Sequence, residues 1–206
     1  MKTLIAGIIA MAAIVVASNI LVQHTFGSYL TYGAFTYPLS FLVNDIINRL
    51  AGVKAARRVV LAGFVVGLVC SFIGTQLHNE YGPLVTLRVA LGSGTAFLVG
   101  QLLDVTIFDR LRRAEWWRAP LVSTLIGSTI DSVIFFTIAF AASLTFLEPS
   151  SDMSWAAVSG PLLGSGPMVP LWVSLALADW GVKFGIAVFG LLPFRLIIAK
   201  FSIRVA

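Results

Sequence analysis

The chain alternates between long apolar runs and short polar or basic segments. Runs at about residues 3–22, 59–77, 84–108, 119–147 and 171–192 reach the roughly 17–25 residues a helix needs to cross a hydrocarbon core of about 30 Å. A further stretch, about 32–47, is less uniform. It carries Pro38, Asn44 and Asp45, and the proline predicts a kink or a broken turn. Residues 148–170 are rich in Ser, Gly and Pro and predict a long loop. The pattern predicts six transmembrane helices in one domain over residues 1–206, an all-α polytopic membrane protein.

The polar positions inside the runs are ordered. Gln101-Leu-Leu-Asp104-Val-Thr-Ile107-Phe108 is followed by Ser128-Thr-Ile-Asp131-Ser-Val-Ile134-Phe135, so polar-x-x-Asp-x-x-Ile-Phe occurs twice. Helical spacing gathers Ser93, Phe97, Gly100, Gln101, Asp104 and Phe108 on one face. It gathers Thr124, Gly127, Ser128 and Asp131 on another, with Ser132 beside them. A charge at mid-helix costs roughly 2.5–3.5 kcal/mol on insertion scales, so the two carboxylates predict a polar cavity between helices. At 100° per residue Arg88 falls opposite Asp104 and predicts a different contact. Asp179 and Lys183 are four apart and share a face. At about 1.5 Å per residue, Asp131 and Lys183 each lie about 18 Å into their spans. Lys183 is therefore expected to neutralise Asp131 or Asp179, while Asp45 and Asp104 lie nearer the basic helix ends.

Composition agrees with the pattern. The chain is 58% hydrophobic and 11% charged, against about 25% charged in soluble domains, and its mean hydropathy is +0.95. Its basic pI of 9.8 does not predict a nucleic-acid partner, because twelve of the fourteen Lys and Arg fall at Lys2, in alternate connections or at the C-terminus. The positive-inside rule then places both termini in the cytoplasm. Lys2 precedes an apolar run too long for a signal h-region of about 7–15 residues, which predicts a retained span. Ala6/Ala10 and Ala13/Ala17 in this run have the small-residue spacing that lets another helix approach. The single cysteine, Cys70, lies in an apolar run and reads as a small hydrophobe. His24 and His78 are too isolated for a metal pair, and neither metal nor cofactor is expected. His-Glu-x-x-His, the Walker A loop, Gly-x-Ser-x-Gly and Cys-x-x-Cys are all absent, so no enzyme is expected.

Several stretches together resemble the queuosine-precursor transporter (VUT) family. Tyr32-Gly-Ala-Phe-Thr-Tyr-Pro38-Leu-Ser-Phe-Leu-Val-Asn-Asp45 with Ala55-Ala-Arg57-Arg58 is similar to its second-helix signature. Gly100-Gln101-Leu-Leu-Asp104, Trp116-Trp117 followed by Ser123-Thr124, and Asp179-Trp-x-x-Lys183 match further elements. The resemblance implies a six-helix importer in the bacterial inner membrane, carrying 7-cyano-7-deazaguanine or a related 7-deazaguanine. Its fold is expected to resemble the substrate-binding subunit of energy-coupling-factor transporters. A 7-deazaguanine offers a ring N–H beside an exocyclic amine, and one carboxylate can accept both. Asp131 is the candidate for that contact. Gln101 or Asn44 would donate to the ring carbonyl, Phe97 and Phe41 would wall the ring, and Asp45 and Ser128 complete the expected substrate set. Asp104, Asp179, Lys183 and Arg88 form the expected charge-coupling set. Stand-alone secondary transport is the leading expectation. The alternative is a substrate-binding subunit with separate ATPase partners, and a homo-oligomer is also left open.

Overall fold

The computed structural model describes residues 1–80 and 82–202. Tyr81 of the expected turn and Arg204 of the basic C-terminus lie outside the described residues. The helices are α1 (Lys2–Leu21), α2 (Gly33–Thr36), α3 (Leu39–Ala51), α4 (Val53–Gln76), α5 (Leu87–Leu111), α6 (Arg118–Phe140), α7 (Ser154–Ala157) and α8 (Leu171–Ser202). Among the described residues, α1, α4, α5, α6 and α8 are long and apolar enough to cross a membrane. The second expected helix is broken. Pro38 offers no N–H, and around it Ser40 N bonds Tyr37 O and Phe41 N bonds Pro38 O, each three residues back.

Other boundaries also differ from the sequence expectation. α4 begins at Val53 rather than near residue 59, so Lys54, Arg57 and Arg58 lie in its first turns instead of in a loop. α6 stops at Phe140, where Ala141 turns extended, and residues 142–147 continue as a 3₁₀ helix. Apolar content alone does not separate the two helix types. α8 runs on through Pro193 for 32 residues, about 48 Å at 1.5 Å per residue, which carries Arg195 and Lys200 past the apolar span. The 148–170 connection holds α7 and a hairpin pairing Ser159–Pro161 with Met168–Pro170. Smaller hairpins follow α1 (Thr25–Phe26 with Leu30–Thr31) and α4 (His78–Asn79 with Gly82–Pro83). All three lie in connections that carry no Lys or Arg.

The other ends are held by basic side chains. Gly52, with φ +85°, makes the tight turn from α3 to α4. There the Arg112 guanidinium donates to the carbonyls of Asn48 and Arg49, and Arg49 Nη1 returns a bond to Arg112 O at 2.8 Å. Each arginine thus donates to carbonyl oxygen at the other helix's C-terminus.

Packing is inverted relative to a soluble domain. Asn44, Asp45, Gln101, Asp104 and Asp131 are buried, while Ile9 of α1, Leu61 and Phe72 of α4, and Phe189 and Leu192 of α8 face outward. An apolar exterior around a polar interior is stable when the surroundings are lipid rather than water. α1 buries a narrow stripe of Gly7, Met11, Val15 and Ser18. Met11 and Val15 join Val59, Val60, Phe97 and Val105 in the main core cluster. Ala6 and Ala13 are exposed, so the contact stripe runs beside the alanine spacing.

Candidate functional site

The site begins with the approach of α5 to α6. A Cβ at Gly127 would sit 2.8 Å from Gly100 O, and one at Gly100 would sit 2.8 Å from the Asp131 Cβ. Only glycine permits that spacing. The two motif carboxylates, Asp104 and Asp131, are thereby set along one seam, which α3 covers on one side and α8 on the other.

Asp131 lies at the centre of a charge cluster. Its Oδ1 accepts from the Tyr37 hydroxyl at 2.7 Å and its Oδ2 from Lys183 Nζ at 2.6 Å. Lys183 also pairs with Asp179 Oδ2 at 2.7 Å and donates to Ser132 Oγ at 2.8 Å. Ser132 Oγ in turn donates to Asp179 Oδ2 at 2.9 Å. Asp131 and Lys183 are each 3% exposed. Lys183 therefore pairs with both expected partners, so that two carboxylates share one ammonium. The ammonium also lies 5.3 Å from the centre of the Tyr37 ring.

Toward the basic end a second network forms. Gln101 Nε2 donates to Ser40 Oγ at 2.7 Å, and Asn44 Nδ2 reaches Gln101 Oε1 and Asp104 Oδ2, both at 3.2 Å. Thr124 Oγ1 lies 3.1 Å from Asp45 Oδ2 and 3.5 Å from Asp104 Oδ1, and Ser123 Oγ lies 3.3 Å from Asp45 Oδ1. Two fully buried carboxylates from α3 and α5 thus draw on one hydroxyl of α6. Among the described residues neither has a cationic partner within ion-pair distance. A narrow crevice between α3, α6 and α8 reaches Asp45 and Thr124, walled by Pro38, Leu42, Pro120, Ile186 and Leu191.

Residues 31–198 match the family model described as "Putative vitamin uptake transporter". The chain belongs to this family. The matched region takes in every side chain of both networks, whereas α1 lies outside it. The "Queuosine precursor transporter" of Escherichia coli (strain K12) is 32% identical over 194 residues, spanning 87% of this chain and 79% of that protein. The "Probable queuosine precursor transporter" of Haemophilus influenzae is 34% identical over 142 residues, 64% of this chain and 59% of that one. A protein of the same description from Bacillus subtilis (strain 168) is 31% identical over 148 residues, 61% of this chain and 64% of that one. No solved structure matches the chain. The family resemblance expected from the sequence is thereby borne out.

The residues singled out from the sequence of this family member do not all come together. Asp131, Asp179 and Lys183 meet in the charge cluster, and Asn44, Asp45, Gln101 and Asp104 meet in the second network. Phe41 and Phe97 flank the Tyr37 ring, each with a centroid separation of 6.2 Å. Ser128 is buried but donates to Leu125 O of its own helix. Arg88 stands apart from both networks. Fully buried near the start of α5, it donates from Nε to Ile138 O and from Nη2 to Ala141 O, at the C-terminal end of α6. Tyr37, Ser40 and Ser132 were not among the expected site residues. Tyr37 did carry a signal: it is an aromatic hydroxyl immediately before the proline of an interrupted span.

Proposed function

We propose that this chain imports a queuosine precursor, 7-cyano-7-deazaguanine or a related 7-deazaguanine, across the bacterial inner membrane as a stand-alone secondary transporter. The observation that carries the proposal is Asp131. It is a buried carboxylate on the α5–α6 seam, it already accepts two hydrogen bonds from donors on two sides, and it has aromatic residues beside it. A ligand edge with two adjacent N–H donors is the natural complement of such a carboxylate. Gln101 is the donor for the ligand carbonyl, with Asn44 and Ser40 holding its amide, and Phe41 and Phe97 supply the walls. Asp45 and Asp104, which share the Thr124 hydroxyl, are the pair through which binding couples to a proton or another cation. Asp179 and Lys183 hold the charge of Asp131 in place.

In this proposal the chain crosses the membrane six times, with the broken α2–α3 segment as one crossing and both termini in the cytoplasm. Support comes from the contacts of that segment along α1. A Cβ on Gly33 would meet Val22 N at 2.9 Å at one end of α1, and a Cβ on Gly7 would meet the Ile47 side chain at 2.7 Å at the other. The experiment is a thermal-shift and affinity measurement in detergent with 7-cyano-7-deazaguanine, other 7-deazaguanines and guanine, on wild type and Asp131→Asn. Asparagine keeps the volume but opposes one ligand donor with its own N–H. The expected loss is about 2–4 kcal/mol, or thirty- to thousandfold in affinity, with the fold intact. A folded Asp131→Asn protein that binds normally overturns the site. Uptake in a host lacking energy-coupling ATPases tests stand-alone transport.

A further inference from the structure

We infer that the Tyr37 phenol occupies the ring subsite of the ligand in this structure, and that a planar heteroaromatic N–H donor binds by taking its place against Asp131. The inference rests on the proposed recognition at Asp131 and adds which side chain yields.

The first observation is that Asp131 is closed off. It is 3% exposed, with Tyr37 on Oδ1 at 2.7 Å and Lys183 on Oδ2 at 2.6 Å. Each oxygen keeps acceptor capacity, but a ligand reaches it only where one of these groups moves aside. Lys183 is the costly one to move, because its ammonium is also held by Asp179 and Ser132 and pairs with the buried Asp131 and the half-buried Asp179. Tyr37 brings a neutral hydroxyl, whose net hydrogen bond is worth far less than a buried charge pair.

The second observation is the shape of the place Tyr37 fills. Its ring meets Phe41 edge-on at an interplanar angle of 88° and Phe97 at 61°. The Lys183 ammonium lies 5.3 Å from its centre. This is a slot with aromatic walls, a cation beside it and a carboxylate at its end, filled by a flat ring whose edge donates a hydrogen. A 7-deazaguanine shares those features, being a flat ring with donors on the edge that faces a carboxylate.

The third observation is the place of Tyr37 in the backbone. Tyr37 sits between α2 and α3, where the bonds span three residues and Pro38 has no N–H to give. α2 has four residues and is docked on α1, through the close approach of Gly33 to Val22 and the contact of Thr36 Oγ1 with Ser18 Oγ at 3.1 Å. α3 is fixed separately by Asn44 and Asn48 on α5. Tyr37 is thus the joint between two anchored pieces, where a small change of backbone or rotamer releases a side chain without breaking a helix.

Tyr37→Phe removes the competing donor and keeps the ring, so the ligand no longer has to break a hydrogen bond to reach Asp131. Affinity for 7-cyano-7-deazaguanine, measured on full-length protein in detergent, is expected to rise about three- to tenfold. Unchanged or weaker binding by the folded variant overturns the inference, since a phenol that touches the ligand or serves only as a brace gives that result. Asp131→Asn is measured alongside. Normal binding there removes the site itself, whereas lost binding there with no gain in Tyr37→Phe removes only the exchange. If Tyr37→Phe does not fold, wild-type protein with ring-fluorinated tyrosine decides the matter. The chain has four tyrosines, and the Tyr37 fluorine resonance is expected to shift when 7-cyano-7-deazaguanine is added. A resonance that stays in place refutes the exchange.

Discussion

Lys183 uses all three N–H donors of its ammonium, on Asp131, Asp179 and Ser132. Replacing it with alanine leaves two carboxylates facing each other without a counter-charge. Breaking a buried pair in this way costs about 3–5 kcal/mol, so Lys183→Ala is expected to melt well below wild type and to lose uptake. Asp179→Asn in the same background removes one of the stranded charges and should recover part of the melting temperature. A Lys183→Ala protein that melts like wild type would show that the ammonium is not paired in the folded bundle. This contact was legible in the sequence, because depth along two helices and a four-residue spacing suffice to bring Lys183, Asp179 and Asp131 together. Tyr37 was not. Whether a tyrosine before a proline turns into the bundle or toward the interface depends on the direction of the break, which is set by α1 and α3. The Asp45–Thr124 contact joins two helices whose relative rotation no single-helix periodicity reports.

At the scale of the elements, two devices fix how α5 meets α6. One is Arg88, whose guanidinium satisfies Ile138 O and Ala141 O where α6 gives out, while Glu148 Oε2 accepts from Arg88 N at the start of α5. A positive charge at a helix C-terminus and an anion at an N-terminus both agree with the helix dipoles. The sequence set Arg88 opposite Asp104 with a different contact; the contact is different, but both side chains reach α6. It did not reveal the role, because the receiving carbonyls appear only once α6 has ended at Phe140. The other device is the glycine contact. Gly127→Ala would put a methyl 2.8 Å from Gly100 O, a backbone atom that cannot swing aside. Such overpacking typically costs about 1–3 kcal/mol. The expected result is a lower melting temperature and weaker ligand binding, as Asp104 and Asp131 move apart with their helices. Gly181→Ala on α8 is the control, since its methyl would meet nothing within 4 Å. Equal melting temperatures for the two variants would mean that the seam tolerates a wider spacing.

For the whole molecule, the number of crossings follows from length more than from charge. If α2–α3 did not cross, the basic residues from Arg49 onward would still share one side, and only Lys2 would change sides. The positive-inside rule accepts either arrangement with little difference. Length is more discriminating. α3 has 13 residues, about 20 Å at 1.5 Å per residue, too short for a core of about 30 Å. Joined to α2, the segment from Gly33 to Ala51 reaches about 28 Å. Its contacts also run from Val22 at the end of α1 to Gly7 near its start, so it accompanies α1 through almost its whole length. The break costs a span its hydrogen-bond ladder, but here it faces protein: the Tyr37 hydroxyl meets Asp131, and Thr36 meets Ser18 and Gly33. Six crossings are even and put both ends on one side, whereas five put them on opposite sides. Fluorescent-protein fusions at each terminus are therefore expected to be bright, and alkaline phosphatase fusions at the same points inactive. Phosphatase inserted in the 148–170 connection is expected to be active. An active phosphatase at the N-terminus with an inactive one at the C-terminus would make α2–α3 a re-entrant segment, with Tyr37 entering the site from a loop that returns to the side it came from.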